Sequence, residues 1–181
     1  LTGTAGDELL TGTPNRDVLN GLAGRDALFG AEGRDTLNGG TGRDLILAGA
    51  GDDTVRFERG GGQDHVDPGS GFDTLAFGEG IFDEDLIVTS YLDRLRIQIG
   101  AGDEVFIDAA PGALERVQFA DGSSLTNAGL VARLQAGGDP SYLVGGADAD
   151  ELYAYTGGST LSGGEGSDEL YGERGNDTLL G

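Results

Sequence analysis

GLAGRDALF (21–29), GAEGRDTLN (30–38), GGTGRDLIL (39–47) and AGAGDDTVR (48–56) are one template written four times, G-G-x-G-x-D-x-U-x with U apolar. Asp26, Asp35, Asp44 and Asp53 therefore stand nine residues apart, each followed two positions later by Leu28, Leu37, Ile46 or Val55. Outward from this stretch, TGTAGDELL (2–10), GTPNRDVLN (12–20), RGGGQDHVD (59–67) and PGSGFDTLA (68–76) keep the aspartate and the apolar residue. The register is expected to slip at Thr11 and at Phe57-Glu58. A second array reads AGGDPSYLV (136–144), GGADADELY (145–153), AYTGGSTLS (154–162), GGEGSDELY (163–171) and GERGNDTLL (172–180), which brings the copies to thirteen.

Composition narrows the chemistry. The 181 residues include 36 glycines with no strict three-residue period, which excludes collagen. Thirty-two acidic residues against 11 basic ones leave a net charge of −21, which argues against nucleic acid and anionic membranes as partners and for metal cations. No run of apolar residues is long enough to span a membrane, and no secretory leader pattern is visible. A start at Leu1 and a stop at Gly181 inside a glycine pattern suggest a piece of a longer protein. Without cysteine, and with a single histidine, thiolate, zinc and copper sites are disfavoured. Only 37% of residues are hydrophobic, so any core is thin.

Glycines at positions one, two and four of the repeat permit a tight loop, and the last three positions form a short strand with U inward. Two loops and two strands complete an 18-residue turn, and turns stack like parallel strands about 4.8 Å apart. Every aspartate then lies over the one two repeats away. One face carries Asp7, Asp26, Asp44 and Asp64, the other Asp17, Asp35, Asp53 and Asp73. Carboxylates so spaced repel by roughly 1 kcal/mol even in water. A Ca²⁺ ion, with bonds of about 2.3–2.6 Å to oxygen, reaches both and reverses the sign; Mg²⁺ fits less well. In the second array Asp150 lies over Asp168, while the opposite column reads Ser141, Ser159 and Asp177 and is poorer. About six or seven ions are expected. The inward column of Leu9, Leu19, Leu28, Leu37, Ile46, Val55, Val66 and Leu75 is too sparse to offset chain entropy alone, so folding is expected to need the metal.

The repeats resemble the RTX, or haemolysin-type, calcium-binding family. The resemblance implies an all-β fold. Two parallel β-rolls (right-handed β-helices of nonapeptide repeats), residues 1–76 and 136–181, would flank a small antiparallel β domain with one short helix, residues 77–135, of the haemolysin-type-related kind. In the rolls of that family the lower loop supplies its aspartate with the carbonyls of positions two and four, and the upper loop its aspartate with those of positions one and three. That implies one site from Leu22, Gly24 and Asp26 with Gly39, Thr41 and Asp44. Its counterpart takes Ala31, Gly33 and Asp35, beside Glu32, with Ala48, Ala50 and Asp53.

Between the arrays the patterning is that of an ordinary globular segment. RLRIQIG (94–100) alternates, with Leu95, Ile97 and Ile99 on one face. DLIVTSY (85–91), EVFIDA (104–109) and ERVQFADG (115–122) read as further strands of a small antiparallel sheet. Thr126 or Asn127 is placed to cap a short helix whose apolar side is Leu130, Val131 and Leu134.

Sharper readings fare worse. His65, beside Asp64, is expected to be an ordinary solvated side chain, and no catalytic triad can be assembled. The arginines at position five, Arg16, Arg25, Arg34 and Arg43, read as charge compensation between loops rather than a ladder for an anionic glycan. Tyr153, Tyr155 and Tyr171 suit exposed strand positions without a sugar site. The chain therefore reads as a non-enzymatic calcium-binding segment, with no nucleic-acid partner, no membrane insertion and any glycan or cell-surface partner unknown. The resemblance implies type I secretion from a bacterium and calcium-driven folding outside the cell. Two roles for the parent protein stay open: a structural or adhesive segment of a surface adhesin, or an accessory module of a secreted hydrolase or toxin.

Overall fold

The computed structural model describes residues 1–90, 95–100, 102–107, 114–126, 129–130, 142–144, 151–154, 160–162, 169–172 and 176–181. They are built almost wholly of strands. β1 (Leu9–Thr11), β3 (Ala27–Glu32), β5 (Leu45–Ala50) and β7 (Gln63–Asp67) pair in parallel in one sheet. β2 (Val18–Gly24), β4 (Thr36–Gly42), β6 (Thr54–Phe57) and β8 (Thr74–Phe77) pair in parallel in a second. Consecutive strands alternate between the two sheets, which is the parallel β-roll the nine-residue period predicts. β2 and β4 are seven residues long, because extended backbone continues past position nine into the glycine positions of the next repeat.

Register follows the repeat. Leu19 pairs with Leu37 and Leu28 with Ile46; after the two extra residues Phe57 and Glu58, Ile46 pairs with Val66 and Val55 with Leu75. No slip occurs at Thr11. Leu10, not Leu9, pairs with Leu28, and Leu9 is 68% exposed. The cause is steric: Gly3 takes position one of the first repeat, where a Cβ would strike the Gly21 carbonyl oxygen of the next turn. With Gly3, Gly12 and Gly21 at position one the nine-residue count is unbroken. The inward column is therefore Leu10 followed by Leu19, Leu28, Leu37, Ile46, Val55, Val66 and Leu75, the last seven at most 5% exposed.

Among the described residues between the two arrays, the strands join the sheets of the roll. β9 (Leu86–Ser90), β10 (Leu95–Ile99) and β11 (Asp103–Ile107) are antiparallel neighbours, but β11 also runs parallel to β7 and so extends the first sheet of the roll. β12 (Arg116–Gln118) runs parallel to β8 and extends the second, with β13 (Ser124–Thr126) antiparallel beside it. The physical reason lies at the sheet edges. An open edge presents unpaired N–H and C=O groups, and an alternating strand satisfies them while burying its own apolar face. Ile107 and Val117 continue the inward column over Val66 and Leu75. Phe57, Phe77 and Phe119 pack beside it, Phe57 edge-on to Phe77 at 6.1 Å and Phe77 stacked on Phe119 at 5.8 Å. Leu95, Ile97 and Ile99 are buried, as their alternation predicts. The Thr126 hydroxyl accepts the Gly129 N–H at 3.3 Å, the bond of a helix cap, and Leu130 is buried. Asn127, Val131 and Leu134 lie outside the described residues.

In the second array β14 (Tyr142–Val144), β16 (Thr160–Ser162) and β18 (Thr178–Leu180) pair in parallel, as do β15 (Glu151–Ala154) and β17 (Glu169–Gly172). Tyr142 lies over Thr160, Thr160 over Thr178, and Glu151 over Glu169, the same turn length as in the first array. Leu161 is fully buried.

Candidate metal centre

Alternation along each strand carries positions six and eight, and position one of the next repeat, to the inside. Asp26, Asp35, Asp44, Asp53, Asp64 and Asp73 are accordingly 1–3% exposed, a level of burial rare for a carboxylate without a partner. Each is held from the preceding turn. The Asp17 N–H donates to Oδ1 of Asp35 (2.8 Å), Asp26 to Asp44 (2.8 Å), Asp35 to Asp53 (2.7 Å), Asp44 to Asp64 (3.0 Å) and Asp53 to Asp73 (2.9 Å). These bonds fix the carboxylates in two vertical columns.

The second oxygen is different. Oδ2 of Asp26, Asp35, Asp44, Asp53 and Asp73 is buried and accepts no hydrogen bond. A buried acceptor left so costs free energy, and a charged one costs more. At Asp26 and Asp35 the bare oxygen lies beside a carbonyl. A Cβ built on Gly21 would come closer than 3.0 Å to both Asp26 Oδ2 and the Gly39 carbonyl oxygen, and one on Gly30 would do the same with Asp35 Oδ2 and the Ala48 carbonyl oxygen. Each position-one glycine thus clears a cradle that a side chain would fill. An orphaned carboxylate oxygen beside a carbonyl oxygen is a hard-oxygen donor set of the kind Ca²⁺ takes, so the residues present fit that ion. Among the described residues no three His, Asp or Glu side chains converge as a chelate. The cradle is carbonyl-rich instead.

The loops that sequence reasoning brought together are adjacent. Leu22 pairs with Gly40, Ala23 with Thr41 and Gly24 with Gly42; Ala31 pairs with Gly49 and Glu32 with Ala50. The Gly24 carbonyl accepts the Arg43 N–H at 3.4 Å and the Ala50 carbonyl accepts the Gly33 N–H at 2.8 Å, each keeping a second lone pair. Leu22 and Ala31, at position two, have φ of 80° and 82°, the left-handed conformation also found at Gly40 and Gly49, whereas Thr4 and Thr13 at the first two turns do not adopt it. Arg16, Arg25, Arg34 and Arg43 are exposed, and His65 stacks on Phe106 at 5.0 Å. Asp150 and Asp168 lie outside the described residues. Asp177 is half-buried, and its Oδ2 lies 2.8 Å from where a Cβ on Gly172 would sit.

At the first turn the structure changes an assignment. Glu8, not Asp7, stands over Asp26: its N–H donates to Asp26 Oδ1 at 2.9 Å, and its own Oε2 lies in the Gly3 cradle. Asp7 is exposed at position five, where its Oδ1 accepts the Arg25 N–H. The unbroken count through Thr11 is the reason, and Glu8-Leu9-Leu10 carries the same acidic-x-apolar signal as Asp-x-U.

Electrostatics separates the buried aspartates from the rim. Burial pushes the Asp26, Asp35, Asp44 and Asp53 carboxyls above the ordinary range, opposed by the backbone N–H each accepts and aided by the aspartate or glutamate a turn away. For the same reason Asp73 is pushed up to about 6 and Asp64 to about 8. Glu8 and Asp17, at the open first turns, are lowered, Glu8 chiefly by the Thr4 hydroxyl and Asp17 by the Thr13 N–H.

The family described as RTX calcium-binding nonapeptide repeat matches residues 2–37, 29–61, 60–75, 133–161 and 144–179, about two thirds of the chain. No curated protein matches the chain significantly. Among solved structures the chain is similar to the extracellular lipase LipA from Serratia marcescens, at 23% identity and a TM-score of 0.49. The match covers 88% of this chain and 28% of the lipase.

Proposed function

The chain belongs to the RTX calcium-binding nonapeptide repeat family, and on that premise we propose that it is a calcium-dependent folding module, without catalysis of its own, of a larger type I-secreted protein. Residues 1–76 and 136–181 are the two arrays and 77–135 the segment between them. The proposed ligands are the two aspartate columns of the first array, with Glu8 in the place read for Asp7, and the loop carbonyls between them. Asp150, Asp168 and Asp177 serve the second array, for about six or seven ions in all.

The observation that carries this reading is the row of buried Asp Oδ2 atoms without hydrogen bonds. Bound Ca²⁺ supplies positive charge between stacked carboxylates. The chain's own part is to hold Oδ1 by a backbone N–H, leave Oδ2 bare, and, at Gly21, Gly30 and Gly39, keep a Cβ out of the cradle. Without the ion the columns are like charges buried at strand spacing, on a chain whose formal charge is −21. Metal binding energy is then folding energy. Extracellular calcium modules bind at roughly 10⁻⁴ to 10⁻³ M, which suits folding after export and disorder before it.

Far-ultraviolet circular dichroism tests the proposal. In excess EGTA the chain is expected to give a disordered spectrum, and calcium titration to restore the β signature cooperatively where equal magnesium does not. A β-rich spectrum in EGTA at pH 8 would refute it.

A further inference from the structure

The carboxylate column does not stop with the repeats. β12 enters the second sheet in the register of a further turn, Arg116 over Thr74 and Val117 over Leu75, which sets Glu115 over Asp73. The Asp73 N–H donates to Glu115 Oε2 at 2.6 Å, the relation that each aspartate in the column bears to its successor. Arg116 lies over the Phe72 ring at 4.9 Å and pins the same junction from outside. Asp73 is 3% exposed and its Oδ2, like those in the repeats below, accepts no hydrogen bond. The other column ends differently. Val105 stands over Asp64, and the nearby carboxylate of Asp103 is engaged by the Gly60 and Gly62 N–H groups at 2.9 and 3.1 Å.

From this asymmetry we propose that Asp73 and Glu115 hold a further Ca²⁺ ion, outside the nonapeptide template, which joins the segment after residue 76 to the first array. The proposal rests on the calcium reading above. Glu115 extends only the column of Asp17, Asp35, Asp53 and Asp73, so metal is added to the strand pairing and buried Val117 that seat β12, while β11 is seated by its pairing and apolar face alone. The segment between the arrays then senses the calcium state of the roll directly at one edge.

Native mass spectrometry of the full chain in calcium counts the ions, with Glu115→Gln as the variant and Asp35→Ala as the control in the repeats. The glutamine can still accept the Asp73 N–H but brings no charge. Glu115→Gln is expected to lose one ion and to raise the calcium midpoint for hydrogen-exchange protection at residues 116–118, while Asp35→Ala loses at least one ion from the repeats. An unchanged count and midpoint in Glu115→Gln, with Asp35→Ala still losing ions, overturns this site and leaves the calcium reading intact. A wild-type chain that binds no calcium overturns both. Should Glu115→Gln fail to fold in calcium, Tb³⁺ located by anomalous diffraction in the wild-type chain decides: an ion within bonding distance of Asp73 and Glu115 supports the site, and its absence there alone overturns it.

Discussion

Leu22 and Ala31 show how strongly the loop dictates backbone at a single residue. At position two Gly40 and Gly49 have φ of 99° and 112°, and Leu22 and Ala31 at the same place are held at similar values. The left-handed conformation costs an L-residue about 1–2 kcal/mol. Leu22 is 44% exposed, so its side chain recovers little by burial. Leu22→Gly is therefore expected to stabilise the calcium-bound roll by roughly 1 kcal/mol, read as a higher melting temperature at fixed calcium. A lower melting temperature would show that the leucine packs usefully. Residue identity was legible where chemistry demanded one type: Asp at position six and Gly at position four stand where the repeat puts them. Glu8 and Glu115 were harder to see, because a glutamate takes the aspartate's place and only the spacing to the next apolar residue, Leu10 or Val117, reveals it.

Strands in the roll meet at their loops more tightly than at their side chains. A Cβ on Gly42 would collide with the Gly24 carbonyl oxygen of the neighbouring turn, and one on Gly51 with that of Gly33. Neither obstacle is the tip of a flexible side chain. Gly42→Ala is thus expected to weaken the pairing of β2 with β4 by about 1–3 kcal/mol, seen as a raised calcium midpoint and lost amide protection in both strands. Unchanged protection would mean the loops can part. Period and inward residues of these strands were readable because the nine-residue count fixes both. The fate of RLRIQIG and ERVQFADG was only half readable. Alternation at Leu95, Ile97 and Ile99 tells which face is buried, but nothing local tells a strand whether to pair with its hairpin neighbour alone or also with the open edge of a roll. β11 does both, and that choice is made by tertiary pairing.

For the whole molecule the decisive quantity is charge taken out of water. Asp64, pushed up to about 8, and Asp73, pushed up to about 6, have folded-state values above the ordinary aspartate value of 3.8. The folded, metal-free chain therefore binds more protons than the unfolded one between about pH 4 and 8. Its stability is greatest below the lower bound and is lost as pH rises through the folded values. Acid is expected to substitute partly for calcium: in EGTA, β structure measured by circular dichroism should increase from pH 8 to pH 5. Calcium binding should release protons, and its midpoint should fall as pH rises. A metal-free chain that is equally disordered at both pH values would show that neutralising the columns is insufficient without a bridging ion.

Among the described residues, the amide-to-carboxylate links within each column of stacked acids all run one way. Asp17 gives its N–H to Asp35, Asp35 to Asp53, Asp53 to Asp73 and Asp73 to Glu115, whereas the two bonds that run back, from the Arg25 N–H to Asp7 and from the Phe72 N–H to Asp52, end on position-five carboxylates. The stack consequently has a polarity, as a row of leaning dominoes has. Removing one acidic side chain leaves the N–H of the turn before it without its acceptor, while its own N–H still holds the carboxylate of the turn after it, so the hydrogen-bond support is lost on the side toward residue 1.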